Sequence, residues 1–520
     1  MNQSLAAAYV RIDALRRALE ASGDGPVRIA ETHISWVLLT PAIAYKLKKP
    51  VRLGFLDFRS LEQRRWACEE ELRINRRFAP DLYLDLAQVH DGPQGPSFGG
   101  LGAVVDTAVR MRRFPDGALW SERVAAGTLT HSHVDSFAVG LADLHRQAPT
   151  APPGSRFGSS AMYRTVVDGI VTAIDDWQAA LPSRDSGWQG VRDWLTRQLL
   201  DLDSHWSGRL SAGHVRECHG DLHLGNVLQA GDDTTAFDAL EFDPDLRWID
   251  PLHDLAFVVM DLMAHGRRDL AFRLFNGYLE ASGDYDGLPA FRFFLVARAL
   301  VRAQVCVLSP ARDEDQARDV SATGYLELAS QLVKGRDPRL AIMHGLPGSG
   351  KTFTSQALIE VVGAIRVRSD VERKRAFGLS ALESSKKDGL TSIYDDSASQ
   401  RTYARMLVVA RTALEAGWPT IVDAAFLRRA ERNAFADLAA SLRVPFTILH
   451  CGAEPALLRQ RIAMRRDKGN DASEADLEVL ERLSLLSEPL DPLELELRIP
   501  CEAGNPEPPG ALARRWQARR

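Results

Sequence analysis

Short apolar runs separated by helix-compatible stretches recur through the last third of the chain. Leu340–His344, Ala364–Arg368, Thr420–Asp423, Phe446–His450 and Leu495–Ile499 read as strands. Residues 353–362, 396–416 and 429–442 carry helical spacing between them. This alternation predicts a parallel sheet covered by helices. Residues 1–330 are patterned differently. β-like runs occupy 27–50 and 85–112, with a helical pattern near 60–78 between them. Helical patterning dominates from 131 to 210 and again after 250. A small mixed lobe followed by a helical lobe, an α+β two-lobe plan, is therefore expected ahead of the α/β sheet. Lys334-Gly-Arg-Asp-Pro338 has the turn chemistry of a boundary. The expected organisation is 1–335, 336–505, and a mobile basic tail over 506–520.

Composition narrows the class. A chain of 520 residues is too long for one core and suggests about three structural units. Its 45% hydrophobic and 26% charged residues are those of a soluble globular protein. The net charge of −5 gives no global drive toward nucleic acid or membrane. Five scattered cysteines without a CxxC pair suggest neither a zinc site nor a disulfide framework. The first residues lack the basic and apolar segments of a signal peptide, and no apolar run reaches about 18 residues. A cytoplasmic location and no membrane partner are expected; oligomeric state is not legible.

The chemistry is carried by two constellations. Gly345-Leu346-Pro347-Gly348-Ser349-Gly350-Lys351-Thr352 satisfies GxxxxGK(S/T) without a departure and lies between an apolar run and a helical one. Glycines let backbone N–H groups converge on an anion, and the following helix N-terminus adds partial positive charge. Lys351 is expected on the β- and γ-phosphates of a nucleoside triphosphate, and Thr352 on Mg²⁺. Asp423 ends an apolar strand, as a Mg²⁺-contacting Walker B aspartate does. Ala424-Ala425 follows without a second acid, which favours a kinase over a mechanical ATPase. Asp370 is the candidate base, with Arg373 beside it to orient an acceptor. Arg461 and Arg465 share a helix side and are candidate lid residues that sense the γ-phosphate.

The second constellation is His219-Gly-Asp221-Leu-His-Leu-Gly-Asn226, with the HxDxxxxN spacing of a kinase catalytic loop. Asp238 follows at a distance that suits a hairpin returning a metal-binding aspartate to the same cleft. Upstream, Lys46 and Lys48 share one face of a predicted strand, and Glu71 lies on the 60–78 helix. Asp254 is expected to brace the catalytic loop.

With these motifs, residues 1 to about 330 resemble the aminoglycoside phosphotransferase and choline kinase superfamily. Residues 338–520 resemble P-loop kinases grouped with zeta toxins, chloramphenicol phosphotransferase and polynucleotide 5′-kinases. The order of the two halves resembles a bacterial fusion labelled a bifunctional aminoglycoside phosphotransferase and AAA-family ATPase. The resemblance implies that Lys46 holds the α- and β-phosphates, Glu71 pairs with it, Asp221 is the catalytic base, and Asn226 and Asp238 bind Mg²⁺. Two departures stand beside it: no GxGxxG occurs between residues 25 and 45, and Lys48 is an alternative to Lys46. The expectation is an ATP- and Mg²⁺-dependent phosphotransferase with two kinase-type sites and an unidentified hydroxyl-bearing acceptor. The chain lacks an acidic run dense enough to recognise a polycationic aminoglycoside. Arg366, Arg368, Arg373, Lys374 and Arg375 fit a 5′-OH nucleic-acid kinase, a reading the net charge does not favour. A further alternative makes the N-terminal half a non-catalytic module that regulates the P-loop half.

Overall fold

The computed structural model describes residues 5–23, 25–53, 56–179, 186–308, 320–381, 383, 395–468, 476–502 and 507–519. The chain divides into two compact units. One comprises Met1–Ser136, Gln147–Tyr163 and Trp206–Val258, the other Phe137–Arg146, Arg164–His205 and Val259–Arg520. The boundary expected at 335/336 falls in the link between a helix and a strand, whereas this division runs elsewhere. No described helix is long and apolar enough to cross a membrane.

The first unit is organised by an antiparallel sheet. Its chain order is helix α1 (Leu5–Ala21), β1 (Arg28–Glu31), β2 (Ser35–Leu39), β3 (Ile43–Lys48), α2 (Leu61–Phe78), β4 (Tyr83–Gly92), β5 (Gly95–Phe98) and β6 (Ala103–Arg112), in the spatial order β1-β2-β3-β6-β4-β5. Strand alternation gives the two faces different partners. Trp36, Leu38 and Leu47 pack with Ala8, Ile12, Leu15 and Leu19 of α1. Ala44, Val109 and Met111 pack with Cys68 of α2. Lys46 and Lys48 share the parity of Ala44, so both turn toward α2. Farther along, β7 (Val227–Ala230) and β8 (Asp233–Ala236) form a hairpin, and α3 (Pro251–Ala264) follows.

In the second unit, α4 (Arg268–Ser282), α5 (Leu288–Leu308) and α6 (Ala322–Lys334) precede β9 (Leu340–His344), α7 (Lys351–Val362), β10 (Ile365–Arg368) and α8 (Ser369–Ala376). Then come α9 (Asp396–Glu415), β11 (Thr420–Asp423), α10 (Arg429–Leu442), β12 (Phe446–Gly452), α11 (Pro455–Lys468), α12 (Pro492–Leu497), β13 (Arg498–Glu502) and α13 (Pro509–Gln517). The sheet order is β10-β11-β9-β12-β13, parallel throughout. The loop after central β9 and the end of β11 thus lie at the carboxyl edge of the sheet, where such folds bind ligands.

Two sequence expectations are corrected here. The strand expected over 495–499 begins instead at Arg498, because Asp491 and Glu494 form a capping box and Pro492 takes the first helical position. The tail expected to be mobile contains α13, which opens with Pro509 and buries Leu512, Ala513 and Trp516 against Leu358, Ile359 and Val362 of α7. These three residues fall on one helical face, and the basic residues between them stay on the other.

Candidate functional sites

Lys46 Nζ lies 2.9 Å from Glu71 Oε1 and also bonds the Asp238 carboxylate. Lys48, fully buried, lies 2.5 Å from Glu71 Oε2 and 2.5 Å from Glu241 Oε1. Each oxygen of Glu71 thus receives one ammonium. Burial works against both lysine charges, but the surrounding carboxylates outweigh it. Asp238 leads for Lys46 and Glu241 for Lys48, and both pKa values rise above the ordinary lysine value. The two lysines are therefore not equivalent: Lys46 meets Asp238, and Lys48 is enclosed between Glu71 and Glu241.

The catalytic-type loop is held from both sides. The Asp254 carboxylate accepts the N–H groups of His219 and Gly220, each at 2.9 Å. Gly220 has φ +85°, and a Cβ there would approach Leu246 O to 2.8 Å, so glycine is required. His219 Nδ1 accepts the Asp221 N–H, and its Nε2 is 2.8 Å from Phe237 O. That geometry places the ring proton on Nε2, and burial lowers the imidazole pKa. One neutral histidine thus ties the Asp221 loop to the backbone just before Asp238. Asn226 Nδ2 donates to Asp221 O at 2.9 Å and to Asp221 Oδ2 at 3.2 Å. Asp238 adopts φ +62°, and its N–H donates to Tyr83 Oη at 3.0 Å. Asn226 and Asp238 offer oxygen donors, the chemistry that suits Mg²⁺.

In the second unit the phosphate loop has the backbone its glycines require. Gly345, Gly348 and Gly350 have φ of +143°, +83° and +95°, and a Cβ on Gly345 would meet Cys451 O at 2.3 Å. Lys351 Nζ donates to Gly345 O at 2.9 Å and Leu346 O at 3.0 Å, so it already folds back over the loop. Ser349 Oγ is buried with no protein partner, which fits a cradle built for a polar ligand. Pro347 and Gly348 form the turn of the loop, closed by the Ser349 N–H donating to Leu346 O at 3.2 Å, and Thr352 stands in the first turn of α7. Arg461 Nη1 lies 3.3 Å from Gly348 O. Arg465 belongs to α11, and its side chain lies outside the described residues.

Asp423 is buried at the end of β11 and accepts from Ser355 Oγ at 2.9 Å. Ser355 lies one turn after Thr352, so α7 presents both hydroxyls on one side. Asp370 sits half-buried in the first turn of α8. Arg373 donates to Ser399 Oγ at 3.1 Å. The basic cluster around Asp370 is engaged internally. Arg366 and Arg368 pair with Glu280, Arg375 with Glu372, and buried Lys374 donates to Ala381 O. An exposed nucleic-acid patch is not what this sequence run builds.

Four structurally prominent residues stand outside the sequence motifs: Glu241, Tyr83, Ser355 and Glu280. Glu241 sits three residues after Asp238, and Ser355 one turn after Thr352, signals that spacing alone offered. Tyr83 and Glu280 act through tertiary contacts.

Comparison with known proteins agrees with this layout. A profile described as the phosphotransferase enzyme family matches residues 56–294, and one described as an AAA domain matches residues 340–490. Both halves carry kinase-type or ATPase folds, and the chain is an ATP-dependent phosphotransferase or ATPase. Uncharacterized proteins of Mycobacterium tuberculosis and Mycobacterium bovis are 30% identical over 460 residues, covering 86% of this chain and 88% of theirs. The chain belongs to the same family as these proteins. Among solved structures, a choline/ethanolamine kinase family protein from Mesorhizobium loti is 14% identical, with 62% of this chain and 94% of that chain covered at a TM-score of 0.36. A gluconokinase from Sinorhizobium meliloti is 18% identical, with 35% and 91% covered at a TM-score of 0.25.

Proposed function

We propose that the chain has two kinase-type sites, each transferring the γ-phosphate of ATP to a hydroxyl group. The observation that carries this reading is Lys46 bridging Glu71 and Asp238 while His219 fastens the Asp221 loop to the same hairpin end. A degenerate, purely regulatory module would have no reason to keep all five polar groups in register. In the first site, Asp221 accepts the acceptor's proton as its oxygen bonds to the γ-phosphorus and the bond from that phosphorus to the ADP oxygen breaks. Lys46 holds the α- and β-phosphates, and Glu71 fixes Lys46. Asn226 and Asp238 would hold Mg²⁺, which when bound neutralises phosphate charge.

In the second site, the Gly345–Gly350 amides and Lys351 hold the phosphates. Thr352 and, through water, Asp423 would hold the metal. Asp370 takes the acceptor proton there, and Arg461 with Arg465 closes over the transferring group. A small hydroxylated metabolite is the acceptor class that fits better than nucleic acid, because the arginines beside Asp370 are paired within the fold.

Transfer and release of labelled γ-phosphate should separate under Asp221→Ala and Lys351→Ala. Each variant is expected to lose on the order of 10²-fold or more of one activity and retain the other. Loss of everything with Lys351→Ala and of nothing with Asp221→Ala would make the first site non-catalytic.

A further inference from the structure

Glu280 lies on α4, within the stretch matched by the phosphotransferase profile, yet its carboxylate is engaged by the P-loop sheet. Arg366 of β10 meets Glu280 Oε1 through Nη2 at 2.7 Å and Nε at 2.9 Å. Arg368 Nη1 reaches Oε2 at 3.5 Å. Burial opposes the Glu280 charge, but Arg366 and Arg368 outweigh it and hold the carboxyl below its ordinary pKa. The other arm of Arg366, Nη1, lies 3.5 Å from Ser355 Oγ. A hydroxyl has one proton, and the Asp423 carboxylate oxygen Oδ2 at 2.9 Å is a stronger acceptor for it than Thr352 O at 3.1 Å, which leaves an Oγ lone pair for the Arg366 N–H. Glu280, Arg366, Ser355 and Asp423 therefore form one oriented chain from α4 to the end of β11. Arg366, Ser355 and Asp423 are buried and the Glu280 side chain is 12% exposed, so hydrogen bonds to charged groups here are stronger than in water.

We propose that Glu280 is a positioning residue for the P-loop site: through Arg366 and Ser355 it sets the carboxylate of Asp423 that faces the nucleotide-bound metal. A helix within the stretch matched by the phosphotransferase profile then completes the nucleotide site of the P-loop sheet. This rests on the reading of the phosphate loop as a Mg²⁺–nucleotide site.

The neighbouring Asn276 supplies a control. It ties α4 to the same strand, accepting the Arg366 N–H at 2.6 Å and donating to Ala364 O at 3.0 Å, but it stands outside the path to Asp423. The test is the gain in fluorescent mant-ADP affinity on adding Mg²⁺ in the full chain, taken as the component lost with Lys351→Ala. Glu280→Gln should cut that gain roughly five-fold or more, the scale of losing a hydrogen bond to a charged group. Asn276→Ala should lower the melting temperature and leave the gain intact. Ser355→Ala, a small change from the other end of the chain, should reproduce the Glu280→Gln result and covers the case in which that variant does not fold. An unchanged Mg²⁺ gain in Glu280→Gln and Ser355→Ala would overturn the proposal. Absence of any Lys351-dependent gain in the unaltered chain would overturn the site reading and the proposal with it.

Discussion

The two candidate sites would grip a triphosphate with opposite materials. In the P-loop site the grip is backbone: three glycines at positive φ, amides aimed by a turn, and a lysine already folded over the cradle. In the other site it is side chains alone. Lys46, Lys48, Glu71 and Glu241 pair within a buried network, and Asp238, its side chain 39% exposed, stands at the open end. The P-loop grip depends on local conformation and tolerates change elsewhere. The side-chain grip depends on charges brought from positions far apart in sequence, and removing one leaves its partners short of a counter-charge.

Glu71→Gln tests that difference at its strongest point. It leaves two ammonium groups facing one carboxylate fewer in a dry site, and breaking such a pair costs about 3–5 kcal/mol. Thermal or denaturant unfolding should register a loss of that size, with Lys351-dependent nucleotide binding preserved. A loss under about 1 kcal/mol would show that the network is open to water and the contrast overstated.

Trp516→Ala strikes the P-loop region through packing instead. The indole is buried on α7, the helix that follows the loop, and removing it should cost about 3–5 kcal/mol. A tail free of the core would show no change.

The smallest expected effect is a pH dependence confined to the P-loop sheet. His344, the residue before Gly345, lies with Nδ1 2.7 Å from His450 Nδ1, and burial pushes its pKa down from 6.5 to about 4. Below pH 6.5 the unfolded chain gains a proton here that the folded chain refuses until about pH 4. Stability therefore falls as pH drops through that window, by up to about 3 kcal/mol. His344→Gln should flatten the decline; an unchanged slope would assign it to other groups.

The same contrast governs what the sequence disclosed. The phosphate loop was legible because its chemistry is contiguous: eight adjacent residues specify turn, cradle and helix start. The other site was legible only as an order of residue types, and two limits followed. Strand periodicity placed Lys46 and Lys48 on one face but could not say which meets Asp238, since depth along a strand is set by what packs on it. Glu241 had only its spacing from Asp238 to mark it, and Tyr83 completed the network without a local signal. Ser355 had only its spacing from Thr352 to mark it, and Glu280 was invisible because it joins Ser355 through Arg366 only when α4 meets β10. The misread strand at 495–499 had its correction in plain sight, in Asp491, Pro492 and Glu494. The tail was judged by its basic residues, although Leu512, Ala513 and Trp516 share the opposite helical face.

Isothermal titration of a non-hydrolysable ATP analogue with Mg²⁺ tests the central claim most directly, because it counts sites. Two nucleotides per chain are expected, falling to one with Lys351→Ala and to one with Lys46→Ala. A single site that Lys351→Ala removes and Lys46→Ala leaves untouched would contradict the account.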